Sequence, residues 1–330
     1  MTENQSAIEG LARAVMDGER AATAQAITLV ESTTPGNRAQ AADLLQHLLP
    51  ATGKAVRLGI TGAPGVGKST MIDQLGLNLI GQDKGVAVLT IDPSSTVSGG
   101  SILADKTRMG RLAASEHAFI RPSPSAGTLG GSARRTRESM LVCEAAGFDV
   151  VIVETVGIGQ SEAVVADIVD FVAVLVQPGG GDELQGLKKG VLEVADMIAV
   201  TKADGENTAA AMRTAGDYRA ALNIVMSSNA EWRPPVVQIS ALSNDGLGEF
   251  WETVVRHRAM LQTSGALATK RHEQDVRRFR QLIEEELLAR YLENIENAAQ
   301  LTALEDRVRS GDLTPGLALD LALPKNSQPS

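Results

Sequence analysis

Cysteine is nearly absent from this chain: Cys143 is the only one among 330 residues. An internal disulfide is therefore excluded, as is a C-x-x-C metal pair, and a reducing compartment fits. Aromatic residues make up only 3% of the sequence, and the formal net charge is −9. A surface for nucleic acid would want stacking rings and basic patches, so that partner is excluded. The four histidines (His47, His117, His257 and His272) are scattered, which leaves no cluster suited to metal transfer. No uninterrupted apolar run reaches the roughly 18 residues of a membrane span. Glu3, Glu9, Arg13, Asp17, Glu19 and Arg20 interrupt the N-terminal apolar positions, unlike a secretory signal. The expectation is a soluble, cytoplasmic protein with neither a membrane nor a nucleic acid as partner.

What is present falls into three regions. Residues 1–54 read as helices only: Ser6-Ala7-Ile8-Glu9 has a capping-box pattern, and Ile8, Leu11 and Val15 share one face. From residue 55 to 264 strands and helices alternate. The strand candidates are Val56–Thr61, Val86–Ile91, Ala118–Ile120, Val150–Glu154, Phe171–Val176, Met197–Thr201 and Val236–Ser240. Most are continuous Val/Ile-rich runs, as strands buried on both faces are, which predicts an α/β domain with a mostly parallel sheet. Residues 265–330 return to helices. Val276, Phe279, Ile283, Leu287 and Tyr291 recur at helical spacing among charges, and Thr314-Pro315 reads as an N-cap and first helical position before a Leu-rich tail. Such helices either fold back on their own domain or pair subunits; the Leu-rich tail favours a homodimer.

The chemistry centres on Gly62, Ala63, Pro64, Gly65, Val66, Gly67, Lys68, Ser69 and Thr70, which fit G-x-x-x-x-G-K-[ST] between a strand and a helix. Backbone N–H groups of such a loop cradle phosphates, with the positive end of the helix dipole behind them. Lys68 then reaches the β- and γ-phosphates of a nucleotide, and the Ser69 hydroxyl can ligate Mg²⁺. The expected architecture is a P-loop NTPase G domain with N-terminal and C-terminal helical extensions.

A phosphate cradle does not choose the base. Thr201-Lys202-Ala203-Asp204 resembles the [NT]-K-x-D element of GTPases. The Asp204 carboxylate can accept two hydrogen bonds that guanine offers and adenine does not, and Lys202 would pack over the ring. Thr201 stands where most GTPases have Asn, which removes one contact to the guanine edge. Ser240, Ala241 and Leu242 form the segment that would close over the base. GTP and GDP are thus the expected nucleotides. Acids for the metal shell are sought at neighbouring strand ends: Asp92 in Ile91-Asp92-Pro93, Glu154 in Glu154-Thr155-Val156-Gly157, and Asp105 further along. Gly157 can offer its N–H to the γ-phosphate. Lys68, Asp92, Asp105, Glu154 and Gly157 make up the candidate catalytic set.

Ras-like enzymes place a water-positioning Gln after that glycine, whereas this chain has Ile158. Intrinsic hydrolysis should be slow, and a cation supplied from elsewhere is worth roughly 10³ to 10⁵ in rate. Candidates to complete the site or move with it are Lys106, Arg108 and Gln160, together with Gln185 and Lys188 in the glycine-rich stretch 177–189.

Read together, G-A-P-G-V-G-K-S-T, I-D-P-S-S, E-T-V-G-I-G-Q-S-E, Q-P-G-G-G-D-E-L-Q-G and T-K-A-D, in this order, resemble the MeaB/ArgK family. These are dimeric P-loop GTPases of the signal-recognition-particle-like branch. The resemblance spans nearly the whole chain. It implies a chaperone that binds adenosylcobalamin-dependent methylmalonyl-CoA mutase, gates cofactor loading, excludes damaged cofactor, and has its GTP hydrolysis accelerated by the mutase. Three other readings compete: a kinase passing the γ-phosphate of GTP or ATP to a protein or small acceptor, a nickel-inserting GTPase, and a nucleotide-sensing module with negligible turnover.

Overall fold

The computed structural model describes residues 3–32, 34–92, 108–124, 129–155, 165–179, 189–225, 231–293 and 295–323. They divide into two compact units, Met1–Arg271 and His272–Ser330.

The first unit is built on seven strands: β1 (Val56–Gly62), β2 (Val86–Asp92), β3 (Ala118–Pro124), β4 (Val150–Thr155), β5 (Phe171–Val176), β6 (Met197–Val200) and β7 (Val236–Gln238). Their order is β3-β2-β4-β1-β5-β6-β7, and every pairing among them is parallel. The mostly parallel expectation is therefore met in full by the described strands. All seven strand candidates are present, β5 with the expected bounds and the others with shifted ends. The largest shift is in β3, which continues past Pro122 to Pro124 and stays paired with β2 through Asp92↔Pro124. Prolines lack the N–H that a central strand needs, and β3 tolerates two of them because it is at the edge of the sheet.

Helices cover both faces. α1 (Glu3–Met16), α2 (Arg20–Val30) and α3 (Pro35–Leu48) precede the sheet; α4 (Lys68–Ile80) follows β1; α5 (Gly110–Ala113) and α6 (Leu129–Ala145) flank β3; α7 (Lys189–Val194), α8 (Thr208–Val225) and α9 (Leu247–Thr263) come later. Alternate residues along each strand enter two separate cores. Ala87, Leu89, Val151, Val153, Val172 and Val174 cluster with Ile27, Val30, Leu44 and Leu48 from the N-terminal helices. Leu58, Ile60, Val88, Ile152 and Ala173 cluster with Met71, Ile72, Leu75 and Leu79 from α4. The N-terminal helices thus help to cover one face of the sheet. Ser6 and Glu9 do not form a capping box, because α1 already begins at Glu3 and needs no cap there.

One buried and one part-buried ion pair lock the foot of β1. Arg57 Nε donates to Glu144 Oε1 at 2.5 Å, and Arg271 grips both oxygens of Asp170 at 2.8 and 2.6 Å. The same Arg271 donates to Gly53 O and Ala55 O, closing the turn that leads into the strand. Arg271 belongs to α10 (Ala266–Glu293), so the first residues of that helix are part of the first unit.

The second unit holds the rest of α10 with α11 (Ile295–Arg309) and α12 (Pro315–Ala322). Thr314 does cap α12, its hydroxyl accepting from Leu317 N–H at 3.4 Å with Pro315 at the first position. Tyr291 donates to Ala322 O at 2.9 Å. Val276, Phe279, Ile283 and Leu287 are exposed along α10.

Candidate functional site: a nucleotide pocket at the carboxyl ends of the strands

The chain leaves β1 for β2 on one side and later places β5 on the other, so the order reverses at β1. Parallel sheets bind ligands at the carboxyl ends of the strands beside such a reversal. The end of β1 is Gly62, with φ of 149°, where an added Cβ would lie 2.5 Å from Leu175 O. Only glycine lets β1 stay paired with β5 here and still turn into the loop. The loop then runs to Gly67, which caps α4 in a left-handed conformation.

Lys68 opens α4 and curls back, its ammonium donating to Gly62 O at 2.8 Å and to Ala63 O at 3.1 Å. Two of its three donors hold the loop, which leaves the third for a phosphate oxygen. Burial pushes the Lys68 pKa down; the nearby Glu154 carboxylate opposes this, and the Arg108 guanidinium adds to it. Ser69 Oγ donates to Glu154 Oε1 at 2.9 Å, bringing together two of the expected metal-shell residues from α4 and β4. Beneath them Thr155 donates to Thr61 at 2.8 Å, a buried bond that pins the end of β4 to β1. A cavity of about 600 Å³ opens here, lined by Pro64, Gly65, Gly67, Lys68, Ser69 and Thr70, with Thr90, Arg108 and Glu154.

The residues expected to read the base are at the ends of β6 and β7. Thr201 donates its hydroxyl to Val66 O at 2.7 Å, so it straps the phosphate loop to β6. In the sequence the Thr for Asn exchange reads as a lost base contact, and nothing there reveals this strap. Lys202, at φ of 52°, donates from Nζ to Gly65 O at 2.8 Å. The Ser240 hydroxyl donates to Asp204 Oδ2, and Ser243 N–H donates to Ser240 Oγ at 3.2 Å. Ala203 N–H donates to Ile239 O at 3.1 Å, which joins the two strand ends directly. Ala241 is half-buried and Leu242 is exposed.

Asp92 closes β2, and its side chain lies outside the described residues. Asp105, Lys106, Gly157, Gln160, Gln185 and Lys188 also lie outside them. Thr90, which is paired in register with Glu154 and lines the pocket, was missed. Its only signal in the sequence is its place two residues before Asp92.

A family model described as methylmalonyl Co-A mutase-associated GTPase MeaB matches residues 23–296. The chain belongs to this family. It is 51% identical over 317 residues to a probable GTPase of Mycobacterium tuberculosis, covering 96% of this chain and 94% of that protein. It is 43% identical to the mitochondrial methylmalonic aciduria type A homolog of Mus musculus, covering 97% and 80%. Among solved structures, that of a LAO/AO transport system kinase superposes with a TM-score of 0.77 at 38% identity, covering 98% and 97%. MeaB-family membership makes the chain a P-loop GTPase and its ligand a guanine nucleotide. The family is named for its association with methylmalonyl-CoA mutase. Among the described residues no helix is long and apolar enough to cross a membrane.

Proposed function

We propose that this GTPase is a chaperone for adenosylcobalamin-dependent methylmalonyl-CoA mutase, using GTP hydrolysis to gate cofactor loading and to protect the mutase from inactivation. The observation that carries the reading is the family match over residues 23–296; it is supported by the hydrogen bonds of Ser69 to Glu154 and of Ser240 to Asp204 around the loop and strand ends. Mg²⁺ prefers hard oxygen donors and keeps several waters. The Ser69 hydroxyl and Glu154 carboxylate, 2.9 Å apart, are such donors. Ser69 would hold the ion directly, with Glu154, Asp92 and Asp105 acting directly or through its waters. Its contribution is to neutralise charge on the β- and γ-phosphates.

Lys68 would bind those phosphates and Gly157 would donate to the γ-phosphate, while Lys202, Asp204 and the Ser240–Leu242 segment enclose guanine. With Ile158 in place of a water-positioning Gln, turnover is slow until the mutase binds. Residues 1–54, 55–264 and 265–330 serve as N-terminal extension, G domain and dimerisation region. The homodimer is supported by Phe279 and Leu287, each 62% exposed on α10. An apolar stripe open along a helix of 28 residues favours a second copy as its cover. Double substitution Phe279→Glu with Leu287→Glu should give a monomer by sedimentation, and an unchanged dimer would refute this. The expected location is the cytoplasm.

The functional test is GTP turnover and cofactor loading measured with and without the mutase, with Lys68→Ala as the inactive control. Stimulation by the mutase is expected. Unchanged turnover together with no co-purification in the presence of a GTP analogue would overturn the reading. With γ-labelled GTP the label should appear as free phosphate; label on a protein or metabolite would favour the kinase alternative.

A further inference from the structure

Arg108 lines the nucleotide cavity with Lys68, Ser69 and Glu154. Among the described residues it makes no hydrogen bond or ion pair, although its charge is felt at Lys68. A guanidinium at the mouth of such a pocket offers five donors and a fixed positive charge. The residues that follow it are held firmly. Asp73, on α4 one turn after Lys68, is 5% exposed. One of its oxygens accepts from Leu112 N–H at 2.9 Å and the other from Arg111 Nε at 2.8 Å. Asp73 thereby satisfies a backbone donor of α5 and pairs with the adjacent cation. Gly76, one turn further along α4, has no side chain where Leu112 sits: an added Cβ would lie 2.7 Å from both Leu112 methyl carbons. Met109 and Leu112 are fully buried in the same core as α4. Asp73, Gly76 and this packing thus clamp residues 109–112 to the helix that begins with the phosphate-binding lysine.

We propose that Arg108 is the cation that this GTPase supplies in cis to the γ-phosphate, and that Asp73 is the positioning residue that keeps it there. In hydrolysis a water oxygen bonds to the γ-phosphorus and the bond to the β–γ bridging oxygen breaks. The electron pair goes to GDP and the water proton leaves with the phosphate. Negative charge grows on the bridging and γ-oxygens, where a planar guanidinium can donate to two of them at once. The proposal rests on the reading of the pocket as the GTP site. It deepens that reading by giving the slow intrinsic reaction a catalytic residue already present in the chain.

The test is single-turnover GTP hydrolysis without partner, beside calorimetric titration of GDP, for wild type, Arg108→Ala, Arg108→Lys, Asp73→Asn and the double variant Asp73→Asn/Arg108→Ala. Arg108→Ala should slow hydrolysis by about 100-fold or more, with GDP affinity within about threefold of wild type. Arg108→Lys should recover only part, since the charge returns without the fork. Asp73→Asn should also lower the rate in the Arg108 background and change nothing further in the Arg108→Ala background, because it acts through that side chain. Arg108→Ala hydrolysing at the wild-type rate, or losing GDP affinity in proportion to rate, would overturn the catalytic role. Additive effects of the two substitutions would overturn the positioning role. Absence of GDP binding by the wild type would instead strike at the site assignment itself.

Discussion

Thr201→Val tests whether the hydroxyl at the end of β6 is a strap on the phosphate loop or a weakened base contact. The side chain is 4% exposed, and Oγ1 lies 2.7 Å from Val66 O against 3.2 Å from Val176 O. Valine keeps the shape and removes the donor. Val176 O still accepts from Thr201 N–H at 2.8 Å, so the deficit falls on the loop carbonyl. A buried acceptor left without a donor costs about 1–3 kcal/mol. For a domain of this size that is a fall in Tm on the order of 2–10 °C. If the loop relaxes instead and must be re-formed around phosphates, the same energy appears as a GDP affinity lowered roughly 5- to 150-fold. Differential scanning calorimetry and GDP titration on the same preparations read both quantities, and Thr201→Ser, which keeps the donor, should stay near wild type in each. The strap is refuted if Thr201→Val melts within about one degree of wild type and binds GDP within about twofold.

Three further substitutions probe other parts of the argument. Asp204→Asn exchanges the anionic acceptor for an amide and should reduce the preference for guanine over adenine nucleotides at least about tenfold; competition binding that keeps the preference would remove Asp204 from base reading. Glu144→Ala leaves Arg57, 4% exposed, without the carboxylate it donates to. Breaking a buried pair in this way costs about 3–5 kcal/mol, so denaturant midpoints should fall sharply, and a change under about 1 kcal/mol would show the pair to be solvated. His257 is buried among Phe171, Trp232, Asp196 and Lys270. Burial holds its pKa below the ordinary 6.5, against the pull of Asp196. The unfolded chain therefore takes up the proton first, and stability present above that value is lost as pH falls through the window beneath it. His257→Gln should flatten the Tm profile between about pH 7 and 5; an unchanged slope would place the acid sensitivity elsewhere.

The strands were legible in the sequence because burial on both faces leaves continuous apolar runs, and β4 and β5 are buried throughout. The phosphate loop was legible because its chemistry fixes a spacing. An amphipathic stripe, by contrast, says that a helix packs without saying on what. Nothing in Ile27 or Leu44 marks them as partners of Leu89 and Val151 on one face of the sheet. Pairs distant in the chain were equally silent. Asp73 reads as a polar position on a helix, and its role depends on Leu112, 39 residues later. Arg57 inside a buried strand looks anomalous until Glu144, 87 residues away, meets it. The expected strand stops at Ile120, before Pro122, and only the position of β3 at the sheet edge lets it run on to Pro124.

Thr201 shows why identity alone misleads at a site. Set beside a list of base contacts, Thr in place of Asn is a loss. Set beside the loop, it is one of four hydroxyls that tie strand ends together: Thr201 to Val66, Thr155 to Thr61, Ser69 to Glu154 and Ser240 to Asp204. Each bond joins segments far apart in sequence. Together they hold the phosphate loop to β4 and β6, and β6 to the segment after β7. A rotatable hydroxyl suits that task because it can donate to whichever oxygen its neighbour presents. The Thr201 strap on the loop and the Ser240–Asp204 bond share no residue. Weakening guanine contacts at Asp204 should consequently leave the loop intact, whereas cutting the strap should weaken guanine and adenine nucleotides alike. Comparing Asp204→Asn with Thr201→Val on GDP and ADP separates the two effects, and a selective loss of guanine binding in Thr201→Val would return that residue to the base.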